Sequence, residues 1–556
     1  VSARPPRVGN GGPTEAAGTA LQGHALIAAR LRALGITHVY GIGGTPVHET
    51  CAACAREGIR LVGVHHQQSA AMMAAAHNYV AGRLVAAVIL SAGPAITNAV
   101  TGVLVAHDNG WPLIVLGGRR PLGMQGTGAF QDLDAVPLLR SITKFAGLVA
   151  SSASIVSALD HAYAVATSGR PGPVYLDLPE EALRGTANAA APAPAPARVA
   201  ERADPAAIAQ AADLLGRARR PAVLVGEALR WSAAFDGLAA LVERLDAPFA
   251  TSPIAQGFLP DDSPLCANAI RAQMLADADA VLLAGARLDW TLRFGAEIPR
   301  DAKRIHLDVD GFGPASSDPP ALVLGGDPSL ALADLLAAID AAGPRMPRDD
   351  AWHADLARRR AERASAADSI VRRNTVPMDE ARLALALRDW MPRDAVVAID
   401  GNRILAAAQQ HLPSFLPVSR FTPGHNGCMG TGVPFAIGAK LARPERPVVV
   451  LTGDLAFGLA AMEMETALRM RAPIVVIVAN NNGNGGGLSE RKLYPPEASD
   501  RYTLFRPGIR YDELVRALGG FGARVEHPDE LAPALDRAVA SGIAACIDVR
   551  LQGDSG

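Results

Sequence analysis

The stretch VVVLTGDLAFGLAAMEMETALRMRAPIVVIVANNNGNGGG, residues 448–487, holds two apolar runs, VVVL and IVVIV, on either side of a segment of helical spacing. Apolar runs without polar alternation are the pattern of strands buried on both faces, as in a parallel sheet. The first run stops at Leu451 and leaves Gly453-Asp454 at its carboxyl end. The helical segment carries Met462 to Met470, and the second run ends at Asn480-Asn481. Ligands of open parallel sheets collect beyond the carboxyl ends of the strands, which places Asp454 and Asn481 along one edge. One carboxylate and one amide oxygen suit a hard cation such as Mg²⁺, which bridges to phosphates and takes only one or two carboxylates from the protein. Gly453 and Gly483 let the backbone approach a diphosphate closely. GD alone reads equally as a capped strand end, but GD joined to NN across one strand-helix-strand unit is far more specific.

The same rhythm extends in both directions. THVYGI, LVGV, VAAVILS, PLIVLGG and GPVYLDLP alternate with helical segments such as GHALIAARLRALG; PAVLVGEA, DADAVLLAGARLDW and KRIHLDVD follow; DAVVAIDGN, RPVVVLTGD, APIVVIVANNN and AACIDVRL complete the chain. This predicts an α/β protein of three doubly wound parallel-sheet domains in series, over residues 16–185, 206–345 and 377–551. Between them lie an Ala/Pro linker, 186–205, whose alternating prolines forbid both helix and ladder, and a charged helical linker, 346–376.

A length of 556 residues fits about three domains. A formal net charge of -2 leaves no long-range field to draw in nucleic acid or an anionic membrane. The five cysteines are scattered, which fits a reducing compartment and a cytoplasmic protein; Cys51 and Cys54 form a C-x-x-C with no second pair. No segment reaches the ~18 uninterrupted apolar residues of a spanning helix, and VSARPPRVGNGGPTEAAG has no signal-type apolar core, so a floppy start is expected.

GD followed at this spacing by NN resembles the thiamine-diphosphate enzymes with the pyruvate oxidase-like three-domain plan, in which the domains bind the pyrimidine, form a central unit, and bind the diphosphate with Mg²⁺. The resemblance implies metal ligation by Asp454, Asn481 and the Gly483 carbonyl. It also implies diphosphate contacts from Gly453, Leu455 (in place of the usual second glycine of GDG) and Ala456. SAGPAITN, with Gly93 and Asn98, resembles the turn of the pyrimidine-binding domain, and GTGAFQD resembles the loop beside the reacting centre, which brings Phe130 and Gln131 to the substrate. GCMGTGVPFAIGAKLA, with Gly427 and Met429, resembles the stretch that supports the thiazolium, and Gly401-Asn402 lie in AIDGNRIL. GIGGTP fails the dinucleotide pattern because Pro46 replaces its last glycine, so Gly41 is expected to shape the loop over the pyrimidine. GARLDWTLRFG and NNNG are similar to 2-hydroxyacyl-CoA lyases and oxalyl-CoA decarboxylases. Arg403, with Arg287 and Arg293, is the candidate for the phosphates of an acyl-CoA; solvated arginines are the alternative.

One position departs from that family. Its glutamate in H-E-Q hydrogen-bonds N1′ of the aminopyrimidine and passes a proton, whereas HHQQSA places Gln67 there. An amide has no titratable proton, and general acid/base help is worth about 10²–10⁴-fold, so slow activation is expected. His65 and His66 are the nearest groups able to assist near neutral pH. Glyoxylate carboligase, in the same superfamily, works with an apolar residue there. The expected activity is a C–C lyase or ligase acting on a 2-hydroxyacyl-CoA. Decarboxylation of oxalyl-CoA or a 2-oxo acid, acetolactate synthase-like carboligation with a flavin in the central domain, and a cofactor binder inactivated at Gln67 are the alternatives. The resemblance further implies a homodimer or homotetramer with the cofactor between chains.

Overall fold

The computed structural model describes residues 20–188, 194, 200–309, 322–343, 348–484 and 493–552. The expected floppy start and the middle of the Ala/Pro tract lie outside them. Three all-parallel sheets follow one another along the chain. In spatial order the first is Arg60–Gly63, His38–Ile42, Ala86–Leu90, Leu113–Arg119, Pro173–Pro179 and Phe145–Leu148. The second is Phe249–Thr251, Pro221–Val225, Ala280–Ala284, Lys303–Asp308 and Leu322–Gly325. The third is Arg420–Phe421, Val396–Asp400, Val448–Gly453, Val475–Asn480, Ala545–Arg550 and Phe521–Val525. Central strands such as Val475–Asn480 are buried along their whole length, because helices cover both faces.

In each sheet the first connection runs to one side and the next to the other, and the crevice at that switch point opens beyond the carboxyl ends. It falls between His38–Ile42 and Ala86–Leu90 in the first sheet, and between Val396–Asp400 and Val448–Gly453 in the third. The reversal places Gly401 beside Gly453: Gly401 has φ +113°, and a Cβ on it would stand 3.2 Å from the Gly453 nitrogen.

The first and third domains join through two helices, Gln67–Ala81 and Gly432–Ala442. Ala70 to Ala76 are buried without interruption, so this helix has no solvent face and no amphipathic period. Its backbone is approached closely, since a Cβ at Gly438 would lie 2.2 Å from the Met73 carbonyl oxygen. Tyr79, Trp111, Phe421 and Phe435 continue the junction, with ring centroids 4.8 Å apart for Tyr79–Trp111 and 5.2 Å for Trp111–Phe435.

The linker expectations need correction at their ends. Thr186–Asn188 is a strand, paired antiparallel with Ala20–Gln22, because the prolines that forbid a ladder begin only at Pro192. Pro205 opens the helix Pro205–Arg217, where its missing N–H costs nothing. The charged stretch is the helix Asp350–Val371, but it does more than connect: Trp352 and Leu356 are buried in the core cluster of the central sheet.

His77, 3 % exposed, accepts or donates a hydrogen bond with the Tyr40 hydroxyl at 2.8 Å. Burial pushes its imidazole down to about 3, with His38 and Arg60 adding to the effect. Its folded value lies below the unfolded one, so its contribution to stability is complete above about pH 6.5 and is lost as pH falls toward 3. By pH 5 the loss amounts to about 2 kcal/mol. A urea titration of the wild type and of His77→Gln at pH 7.5 and pH 5 is expected to show a smaller acid-induced drop in the variant; equal drops would remove His77 from the account.

Candidate active site

One half of the candidate site forms where two strand ends meet. Asp454 opens the helix Asp454–Gly458 directly after its strand and is 3 % exposed. Its Oδ1 accepts from the Leu455 N–H at 2.8 Å, and its Oδ2 from the Gly483 N–H at 3.0 Å. Burial raises this carboxyl to about 6, against the backbone N–H groups that favour its charged form. The neighbouring strand ends at Asn480, and the next residue, Asn481, has a buried side-chain oxygen with no hydrogen-bond partner. Leaving such an acceptor unmet costs about 1–3 kcal/mol, so an oxygen of this kind beside a buried carboxylate fits a bound cation.

Gly401, Asn402, Gly453, Asp454, Leu455 and Ala456 line one cleft of about 410 Å³. Met429, Asn481, Gly483 and Arg403 also line it. Gly453 leaves open space where a side chain would stand, so backbone is bare toward a diphosphate. Gly427 is not part of the lining; with φ +67° it forms the reversed turn that leads into Cys428-Met429. Asp400 was not singled out in the sequence. It is buried at the end of Val396–Asp400 and accepts from the Gly432 N–H at 2.8 Å, and burial lifts its carboxyl to about 6. Its only signal was an aspartate closing an apolar run.

The other candidate residues lie on the first domain. Gln67 is the first residue of its helix, and its Oε1 accepts from the Asn98 amide at 3.1 Å. Gly93 has φ +60°, and a Cβ there would stand 2.9 Å from that of Gln131, itself at φ +59°. The AFQD loop therefore rests on the turn that starts the Asn98 helix, with Phe130 beside it 71 % exposed. Gly41 sits inside the sheet: a Cβ on it would lie 2.0 Å from the Ile89 carbonyl oxygen, so close strand packing accounts for this glycine.

The histidines are committed elsewhere. His65 Nε2 pairs with Glu465 at 2.8 Å, and His66 Nδ1 caps the helix by accepting from the Gln68 N–H at 3.2 Å. The backbone N–H groups of both donate to Glu463, a buried carboxylate absent from the sequence reading. The arginines are also occupied: Arg403 pairs with Glu380 at 2.8 Å, and Arg287 donates to the Asp108 carbonyl at 2.9 Å. Arg293 is exposed, 3.8 Å from Glu297. Cys51 and Cys54 are free thiols, and burial pushes Cys54 up to about 12. Among the described residues no group of three or more His, Cys, Asp or Glu could hold a metal, and no helix is long and apolar enough to cross a membrane.

Family models match all three domains. The thiamine pyrophosphate enzyme N-terminal TPP binding domain matches residues 21–138, the central domain matches 208–335, and the C-terminal TPP binding domain matches 403–549. A probable acetolactate synthase of Mycobacterium bovis is 34% identical over 94% of this chain and 94% of its own. The 2-hydroxyacyl-CoA lyase 1 of Mus musculus is 30% identical over 95% and 93%, and the oxalyl-CoA decarboxylase of Escherichia coli 31% over 96% and 95%. With all three domains matched and relatives aligned over nearly its full length, the chain belongs to the thiamine pyrophosphate (thiamine diphosphate) enzyme family.

Proposed function

We propose that the chain is a thiamine-diphosphate- and Mg²⁺-dependent lyase that cleaves a 2-hydroxyacyl-CoA to an aldehyde or ketone plus formyl-CoA, or runs the reverse ligation. Its main support is the orphaned oxygen of Asn481 beside the buried Asp454. Asp454, Asn481 and the Gly483 carbonyl would hold the metal, while Gly453, Leu455 and Ala456 face the diphosphate. Gly401 and Asn402 border the same cleft, and Met429 would support the thiazolium. When bound, the cofactor supplies a carbon nucleophile that adds to a carbonyl and accepts the electrons of the broken C–C bond. The chain supplies orientation and proton placement. Asn98 donates to the Gln67 oxygen, and the Gln67 NH₂ would be the donor for N1′ of the aminopyrimidine. Gln131 and Phe130 stand on the substrate side.

The cleft takes all its lining from residues 380–551, whereas Gln67, Asn98 and Gln131 belong to the first domain. The resemblance to the family favours a complete site between two chains, Gln67 from one and Asp454 from its partner, in a homodimer or homotetramer. Free cysteines throughout are in keeping with a cytoplasmic setting.

The pairing of Arg403 with Glu380, and the turn of Arg287 toward the Asp108 carbonyl, favour a second reading without a CoA phosphate: carboligation or decarboxylation of a 2-oxo acid, as in the acetolactate synthase relatives. One panel separates the two. Incubation with 2-hydroxyacyl-CoAs is expected to release formyl-CoA. Release of CO₂ and acetolactate from pyruvate, with the thioesters untouched, would replace the first reading by the second.

A further inference from the structure

We infer that Asp548 is a positioning residue for the metal loop, acting through Asn480 to set the turn that carries Asn481 and Gly483. The inference rests on the metal reading above. Asp548 lies on the strand Ala545–Arg550, opposite Val478, and is 1 % exposed. Its Oδ1 accepts from the Asn480 amide nitrogen at 2.9 Å. The Asn480 oxygen in turn accepts from the Asn482 N–H at 3.1 Å. Asn482 has φ +65°, and this reversal brings the Gly483 N–H to 3.0 Å from Asp454 Oδ2. Asn482 is held on its other side by its amide, which donates to the Phe505 carbonyl at 3.0 Å.

The chemistry of the groups explains why a carboxylate stands at position 548. A primary amide fits a site in either of two orientations, whereas an ionised carboxylate only accepts. Against Asp548, Asn480 must turn its NH₂ inward and its oxygen toward the loop. The flipped amide would set oxygen against oxygen at Asp548 and donor against donor at Asn482. Asp548 thereby selects the orientation that holds the Asn482 N–H, and with it the reversed turn. Placing it there costs stability, because a charge inside a sheet loses hydration. Burial raises its carboxyl above the usual range, the Asn480 amide opposes that shift, and Asp512 adds to it. The acid meets both the Asn480 amide and the Tyr511 backbone N–H, neither of which an apolar residue could serve.

The test is titration of Mg²⁺ into the full chain with saturating thiamine diphosphate, followed by calorimetry, alongside melting without metal. Partners behind first ligands typically tune metal affinity by about 10–100-fold, and Asp548→Ala is expected to weaken Mg²⁺ by that factor. Asp548→Asn can present either its oxygen or its NH₂ to Asn480, so it no longer selects one orientation and is expected to fall between the wild type and Asp548→Ala. Asn480→Ala, a truncation at the strand end, is expected to show the same loss as Asp548→Ala and serves if that variant does not fold. Either alanine variant binding Mg²⁺ as tightly as the wild type, while Asp454→Ala does not bind, would overturn the inference and leave the metal site standing. A folded wild type that takes up no Mg²⁺ would instead overturn the metal reading, and the inference with it.

Discussion

Asp454→Asn is expected to raise the melting temperature of the metal-free protein while lowering Mg²⁺ affinity by more than about 100-fold in the presence of thiamine diphosphate. The two effects share one cause. Burial lifts the Asp454 carboxyl to about 6, above its unfolded value near 3.8. A carboxyl raised in this way contributes most to stability below pH 3.8 and loses that contribution as pH rises through 6. At pH 7.5 the empty site therefore holds an ionised group at a cost on the order of 3 kcal/mol. An amide of the same shape removes that cost and still accepts from one of the two N–H groups, while its NH₂ faces the other, which offsets about 1–3 kcal/mol of the gain and leaves a smaller net rise. It also removes the negative charge beside Asn481, the other cleft acid, Glu380, being paired with Arg403, and with it the main attraction for a divalent cation. Asp454→Ala lacks the acceptor as well, so it loses metal without the gain in melting temperature. Differential scanning calorimetry with and without chelator reads both quantities. An Asp454→Asn protein that melts lower than the wild type in chelator would show that the acid is a stabilising strand cap and not a stored charge.

How far the sequence reveals this site depends on where each residue lies in its sheet. Val475–Asn480 and Val448–Gly453 were readable because burial on both faces demands an unbroken apolar run. The strands that the sequence hid are at sheet edges: Phe145–Leu148, Phe249–Thr251, Leu322–Gly325, Arg420–Phe421 and Phe521–Val525. Edge strands are short, and one side of their ladder is open, so FGARV or KFAGL carries no run to notice. The same division holds for the site. Asp454 and Asn481 follow strong runs and are legible, as is the Gln67 position from its motif. Glu463 is one of two acids in its helix, the other being Glu465, and nothing local marks it out. Its service to the His65 and His66 N–H groups is a contact between domains, which no local pattern encodes. For His65 and His66 themselves the motif suggested proton chemistry, while the fold uses one as an ion-pair partner and the other as a cap. The orientation of Gln67 likewise depends on Asn98, a residue of the next helix.

Gln67→Glu is expected to speed exchange of the cofactor C2 proton by about 10²-fold, within the range that a positioned acid/base group supplies. The structure already provides what a glutamate needs. Asn98 donates at 3.1 Å to the oxygen that Gln67 and Glu share in shape, so a carboxyl would keep its first contact and direct its second oxygen where the amide NH₂ now points. What changes is the proton. The amide can donate a hydrogen bond to N1′ but cannot transfer a proton to it, whereas the acid can do both. Quenched hydrogen–deuterium exchange read by NMR isolates this step from substrate binding. Turnover answers a different question. If activation limits the wild type, the variant gains at least tenfold in kcat with the true substrate. If instead the chain is adapted to later C–C steps in a less polar pocket, exchange rises while turnover falls, because the added charge burdens those steps. Equal exchange in the two proteins would refute the relay argument outright. His65 and His66 would not offer a way around that result, since one is held by Glu465 and the other by the helix end.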